Sequence, residues 1–321
     1  MTDNRTLPVT RALQPSREGR IGVELEFAGI TEAEAAETLS KATGGTARQT
    51  GARSWEVETD LFGTCDIYID TTFDEAVARV AGSPGIEALR SVVPVELVTE
   101  PFEIRHLPEL DRVVGCLRDA GAQGTRDGLF LGFGTHLNIE ADAEDATSVA
   151  RHLAAYALLE EYLRQRNPID LSRRVLPFVA PYPDKMVDAL AEGVPDFDGS
   201  MDGLIAFYLD HAPSRDHGLD LLPLLATQDE DRVRNAAEGL SEIKARPAYH
   251  FRLPDCRIDE ADWSILQAWD DWCLVQTVAL DATLLERLRA ARRDWSAGHA
   301  WGRPPWFKAV ETILGTSGEA S

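Results

Sequence analysis

Gly22-Val-Glu-Leu-Glu-Phe27 is the stretch from which the fold of this chain is read. Val23, Leu25 and Phe27 alternate with Gly22, Glu24 and Glu26, and successive side chains of a strand point to opposite faces. The alternation predicts a β-strand with one apolar face and one face carrying two carboxylates about 7 Å apart, two residues' rise along the strand. Like charges at that spacing repel, and a divalent cation beside them reverses the sign of the interaction. One Glu-x-Glu alone is more often a solvated strand edge. The pattern gains weight because it recurs down the chain.

Working outward, residues 1–19 read as a flexible N-terminal arm punctuated by Pro8, Pro15 and Gly19. After the first strand, Thr31 and Glu34 form a capping-box signature, predicting a helix from Glu32 that stops at Gly44-Gly45. Segments 55–58, 65–70 and 94–100 alternate as strands, with a helical stretch at 74–93 between them and a helix at 107–120 after them. Segment 129–140 is strand-like and punctuated by Gly132 and Gly134. A long amphipathic helix is expected at 143–166, ended by Asn167-Pro168. Shorter helices are expected at 183–192, 201–211 and 229–239, a last strand at 248–253, and a helical tail from 259 to 297. Residues 20–321 then form one α+β catalytic domain, with a helical elaboration at 143–245 and a C-terminal helical tail at 259–321. Within it the Pro-rich segment 167–183, holding Arg173 and Arg174, is a candidate functional loop.

Composition narrows the function. A net charge of −22 opposes nucleic-acid phosphate and anionic membranes, so neither is an expected partner. Cys65, Cys116, Cys256 and Cys273 form no Cys-x-x-Cys pair, which argues against a zinc ribbon and for free thiols in a reducing cytoplasm. The polar N-terminus lacks the apolar core of a signal peptide, and no apolar run approaches the length of a membrane span.

The polar faces of the alternating segments define the chemistry. They carry Glu24 and Glu26, then Glu56 and Glu58, Asp66 and Asp70, then Glu96 with Glu100, then His136 and Asn138, and last His250 and Arg252. An antiparallel sheet packs one face on helices and leaves the other open, so the expectation is an open acidic bowl. Hard oxygen donors with a minority of imidazole suit Mg²⁺ or Mn²⁺. Glycines before His136 would let a ligand approach the backbone. Glu56, Glu58, Asp66 and Asp70 read as surface groups, Arg215 as a loop arginine, and Trp263, Trp269 and Trp272 as core.

Five ordered motifs resemble those of the putative amidoligase family, related to glutamine synthetase and glutamate–cysteine ligase: Gly22 to Phe27; Trp55, Val57 and Asp60; Val95-Glu96-Leu-Val-Thr99 with Pro101; Gly134-Thr-His136-Leu-Asn138; and Phe251-Arg252. The resemblance covers roughly residues 20–260. It implies a glutamine-synthetase-like antiparallel sheet and an ATP-dependent ligase with Mg²⁺ or Mn²⁺, joining a small-molecule or peptide carboxylate to an amine. By that likeness Glu24, Glu26 and Glu96 are metal ligands, and His136 holds a metal or a nucleotide phosphate beside Asn138. Arg252 contacts phosphate or the substrate carboxylate, and Arg173 and Arg174 match an arginine-bearing loop; outside the matched motifs, the loop residue Arg215 is a further candidate nucleotide contact. The chemistry suits these residues. An amine cannot expel oxide from a carboxylate, whereas an acyl phosphate has a good leaving group, and metals and arginines neutralise the migrating phosphoryl group.

Two departures stand out. His250 occupies the place of a family glutamate ligand, which points to Mn²⁺, to loss of one metal, or to another task for His250. If His250 is a ligand, a ring of carboxylates is expected to raise its pKa before metal arrives. Leu61-Phe62-Gly63 also follows Asp60 where a serine is common. The alternatives to a ligase are a degenerate scaffold that binds nucleotide or peptide without turnover, and a metal-dependent amide hydrolase.

Overall fold

The computed structural model describes residues 19–69, 94–125, 132–170, 173, 179–193, 199–237, 239–241, 243–298 and 303–317. The expectations for residues 1–18, Asp70, the 74–93 helix, the start of the 129–140 segment and Arg174 lie outside them.

The protein is α+β, with nine strands in one sheet among the described residues. The opening stretch becomes β1 (Arg20–Phe27). The other strands are β2 (Thr46–Gly51), β3 (Ser54–Thr59), β4 (Gly63–Ile69), β5 (Val95–Thr99), β6 (Phe102–Glu103), β7 (Thr135–Glu140), β8 (Leu219–Asp220) and β9 (Ala248–Phe251). Their order is β2-β3-β4-β5-β1-β7-β9-β8, with β6 on the start of β1, and every pairing is antiparallel. β1 is therefore central. Its odd residues, Ile21, Val23, Leu25 and Phe27, are fully buried.

Ten helices are described: α1 (Glu32–Thr43), α2 (Leu107–Asp119), α3 (Ala146–Arg166), α4 (Asp184–Glu192), α5 (Met201–His211), α6 (Leu222–Leu225), α7 (Glu230–Arg234), α8 (Ile265–Leu280), α9 (Ala282–Ala297) and α10 (Trp306–Ser317). α1 packs on β3 and β4, α8 on β7, and α3 on α8, so the helices cover the face that carries Leu25, Leu97, Leu137 and Phe251. The capping box forms: Thr31 Oγ1 accepts from Glu34 N–H at 3.2 Å, and Thr31 N–H donates to Glu34 Oε2 at 2.8 Å. Gly44, at φ 73°, ends the helix in the left-handed conformation that glycine tolerates.

Several elements differ from the sequence reading. α3 is not amphipathic in the usual sense, because α8 lies on one side and α4 and α10 on others, burying even His152 and Glu160. The tail does not begin at 259 and is not one helix. Asp281 breaks it by accepting from the N–H groups of Thr283 and Leu284, which starts α9. α7 stops at Arg234. β2 and β8 lie in segments for which the sequence predicts no strand, while α10 falls within the C-terminal helical tail expected at 259–321. Phe62, in the segment that departs from the family pattern, is an anchor of the β3–β4 hairpin. It packs edge-on against Phe102, ring centroids 5.1 Å apart. Trp263 and Trp272 are core residues, and Trp269 packs against that core. No helix among the described residues is long and apolar enough to cross a membrane.

Candidate functional site

Strand register assembles the site. β1 and β7 set Glu24 opposite His136 and Gly22 opposite Asn138. β7 and β9 set Asn138 opposite His250, and β8 adds Asp220 opposite His250. On the other side of β1, Glu26 faces Glu96. Opposed residues share a face, so polar positions on five strands become one polar patch on the side away from the helices.

Glu24 is the hub of that patch. Its Oε2 lies 3.1 Å from His136 Nδ1, and its Oε1 accepts from Asn138 Nδ2 at 2.8 Å and from an Arg246 N–H at 3.2 Å. Because the Asn138 amide nitrogen donates to a carboxylate, its oxygen is left to accept. His250 Nδ1, 2.9 Å from that oxygen, is therefore the donor. A neutral His250 then carries its proton on Nδ1 and a lone pair on Nε2, the tautomer that a metal site requires. His136 Nε2 is 3.8 Å from Glu26 Oε1, and Glu26 Oε2 accepts the Gly134 N–H at 2.7 Å.

Electrostatics follow from burial. Burial pushes the Glu24 carboxyl upward, but the hydrogen bond from His136 and the positive charge that His250, His136 and Arg246 can each supply outweigh it, so it is held well below the usual carboxylate range. Burial pulls His250 well below the usual imidazole range; Glu24 opposes this, while His136, Arg252 and Arg246 reinforce it. This corrects the expectation that carboxylates raise His250, since desolvation, reinforced by the neighbouring arginines, outweighs one acid. The open bowl is corrected as well. Glu24, Glu96, His136, Asn138 and His250 are each at most 9% exposed, and Arg246, on the segment entering β9, reaches across to Glu24. The outer strands keep the solvated character expected of Glu56 and Asp66: Glu56 pairs with Arg48.

The donor set fits a divalent metal. One ligand atom each from Glu24, His136 and His250 lie within 4.8 Å of one another. One carboxylate with two imidazoles favours Mn²⁺ or a softer ion over Mg²⁺, which prefers oxygen. Of the five expected ligands the structure thus brings three together, while Glu26 and Glu96 form the neighbouring pair.

The arginines divide by environment. Arg173 is 1% exposed. Its guanidinium donates to the carbonyls of Arg252, Leu253 and Pro254 and to Asp255 Oδ1, at 2.8–3.0 Å. It clamps the chain that carries Arg252, a positioning task. Arg252 donates to the Arg215 carbonyl at 2.6 Å, and Arg215 Nε lies 3.6 Å from Asp220 Oδ2. Yet Arg252 Nε, Arg215 Nε and Asp220 Oδ2 are buried without hydrogen-bond partners, which calls for an explanation such as a ligand or water. Burial raises Asp220, with Arg215 and Arg252 pulling it back.

Gly134 has a different use from the one expected. A Cβ there would lie 2.6 Å from His136 Nε2 and 3.0 Å from Arg173 Nη2. The space a ligand was expected to use is filled by the His136 ring and the clamp. Sequence reasoning also missed Arg246, Asp220 and Asp255. Arg246 precedes its strand, and β8 is two residues long, too short to show a period. A cavity of about 730 Å³ opens at the Arg20 end of β1, lined by Arg20, Asp60, Glu100 and Arg105 among others and by none of the three candidate ligands.

The family model described as "Putative amidoligase enzyme" matches residues 17–274. No curated protein matches the chain.

Proposed function

The chain belongs to the putative amidoligase family, and from that premise we propose that it is an ATP-dependent carboxylate–amine ligase on a glutamine-synthetase-like scaffold. The observation that carries the reading is coincidence of span: the match over 17–274 encloses every member of the polar patch from Glu24 to Arg252. In this reading Glu24, His136 and His250 hold a divalent metal, Mn²⁺ or Mg²⁺, with Glu26 and Glu96 beside it. The metal, when bound, supplies positive charge against the phosphates of ATP. Arg252 and Arg215 offer guanidinium donors to phosphate, aligned from behind by Asp220 and Arg173. The substrate carboxylate is activated as an acyl phosphate, and the amine displaces phosphate to form the amide. Partners are a small-molecule or peptide acid and an amine.

The test is ADP release from ATP with Mn²⁺ or Mg²⁺ and pooled acids and amines. Release that needs both an acid and an amine is expected, and ATP hydrolysis indifferent to both would refute the ligase. One observation favours a second reading, binding without turnover. Both oxygens of Glu24 are already bonded inside the protein, and His250 stands where the family has a glutamate. Nucleotide binding without any ADP would favour that reading.

A further inference from the structure

We propose that the cleft where α3 and α9 begin, in the helical layer and lined by none of the three candidate metal ligands, binds a phosphate dianion, free or as a phosphate monoester. The cleft has a volume of about 450 Å³, and its walls include Thr147, Ala150, Arg151, Ala282, Leu285 and Arg289. That is room for more than a bare anion, since small-molecule sites run from about 300 to 1,000 Å³.

The reason to expect an anion is a pair of uncompensated arginines. Among the described residues Arg289 makes no ion pair or hydrogen bond, and its Nε is buried without a partner. Among the described residues Arg151 makes one hydrogen bond, to the Leu280 carbonyl at 3.1 Å, and no ion pair. In a chain with 54 acidic and 32 basic residues, two neighbouring guanidinium groups without an ion-paired carboxylate among the described residues are unexpected. The nearby acids are committed elsewhere. Glu286 pairs with Arg293 at 2.8 Å, Asp281 caps α9 and Asp145 caps α3. Burial lowers the Arg289 guanidinium; Glu286 opposes this, and the charges of Arg151 and Arg293 add to it. It still stays charged at neutral pH.

Two guanidinium forks suit the oxygens of a phosphate better than a single carboxylate. The two arginines project from α3 and α9, whose N-terminal N–H groups are already capped by Asp145 and Asp281, so the guanidinium groups themselves are the anion-binding donors. The organic part of an ester would lie on Ala150, Ala282 and Leu285, with the Thr147 hydroxyl beside it.

The experiment is calorimetric titration of the full chain with inorganic phosphate, glycerol phosphate and citrate, at ionic strength held constant with chloride. Saturable phosphate binding is expected, weakened about tenfold or more in Arg289→Gln and in Arg151→Gln, because each removes one charged fork. Arg289→Lys should recover part of it, and Arg252→Lys should retain it. Tighter binding of glycerol phosphate identifies an ester as the ligand; equal binding identifies free phosphate. Absence of saturable binding overturns the proposal. So does binding that both glutamine variants leave unchanged, binding that Arg252→Lys abolishes, or a preference for citrate. Melting temperatures confirm that each variant is folded.

Discussion

Gly134 and His250 carry the sharpest expectations at the scale of single residues. Gly134→Ala puts a methyl group 2.6 Å from His136 Nε2, so the ring or the Arg173 clamp must move. Overpacking of this kind costs about 1–3 kcal/mol. The urea midpoint should drop accordingly, and Mn²⁺ affinity should drop with it, because the displaced ring is a proposed ligand. A variant with normal stability and normal Mn²⁺ binding would show that His136 has slack the structure does not display. His250→Glu tests the other departure. Wild type should bind Mn²⁺ at least about tenfold tighter than Mg²⁺, as a site with two imidazoles does, and a second carboxylate should narrow that gap. Burial keeps His250 neutral through the usual imidazole range, so protonation of this ring does not compete with metal between pH 8 and 6.5. Equal Mn²⁺ and Mg²⁺ affinities in both proteins, measured by calorimetry, would remove His250 from the ligand set.

At the scale of elements, the contact between α3 and α8 stores a pH dependence. Asp271 on α8 accepts from Asn167 Nδ2 at 2.6 Å and lies 3.5 Å from Arg166 Nε, just past and at the end of α3. Burial raises its pKa to about 6, more than Arg166 and Asn167 can offset. The folded state therefore binds a proton that the unfolded chain has released, and the stability contributed by this group is fully present below the ordinary value of 3.8 and is lost as pH rises toward 6. The loss is roughly 3 kcal/mol, at 1.4 kcal/mol per pKa unit. Asp271→Asn should flatten that slope, matching wild type near pH 4 and exceeding it near pH 7.5 in urea midpoints. Parallel slopes would mean that Asp271 is ionised without cost. What the sequence discloses follows the same lines. Alternation in β1, β5 and β7 is legible because each has one face on the core, and the α1 capping box because it is a local exchange of hydrogen bonds. β2 escaped because Thr46–Gly51 is an edge strand, held by backbone pairing and lacking an apolar face. Glu24, His136 and His250 were visible as polar positions in alternating strands. That they meet, while Glu26 and Glu96 stand aside, depends on register, and register depends on pairing partners distant in the chain. Arg246 and Asp220 could not be found by period, since neither lies in a strand long enough to have one.

At the scale of the whole molecule, the family match and the folded core do not end together. The match stops at residue 274, inside α8, yet α9 and α10 continue the packing. Trp306 is 1% exposed, its indole N–H donates to the Leu158 carbonyl in α3 at 2.8 Å, and Val310 and Leu314 behind it are fully buried. Arg292 lies 4.6 Å from the Trp295 ring and 5.6 Å from the Trp306 ring, and bonds Asp184 and Asp188 of α4 at 2.8 and 2.7 Å. α3, α4, α9 and α10 are thus latched through one arginine and two indoles. Trp306→Ala should cost about 3–5 kcal/mol, the usual loss for emptying a large aromatic site. Trp306→Phe should cost much less, because it keeps most of the burial and gives up one hydrogen bond worth about 1 kcal/mol. The proposed metal ligands point away from the helical layer, so both variants should bind Mn²⁺ as wild type does wherever they are folded. The denaturant slope separates two outcomes. An unchanged m-value with a lower midpoint places α10 inside the cooperative unit, whereas a reduced m-value means that α10 detaches and leaves a smaller folded core. If neither quantity moves in Trp306→Ala, the helices beyond residue 274 are an appendage, and the stability of the site rests on the matched segment alone.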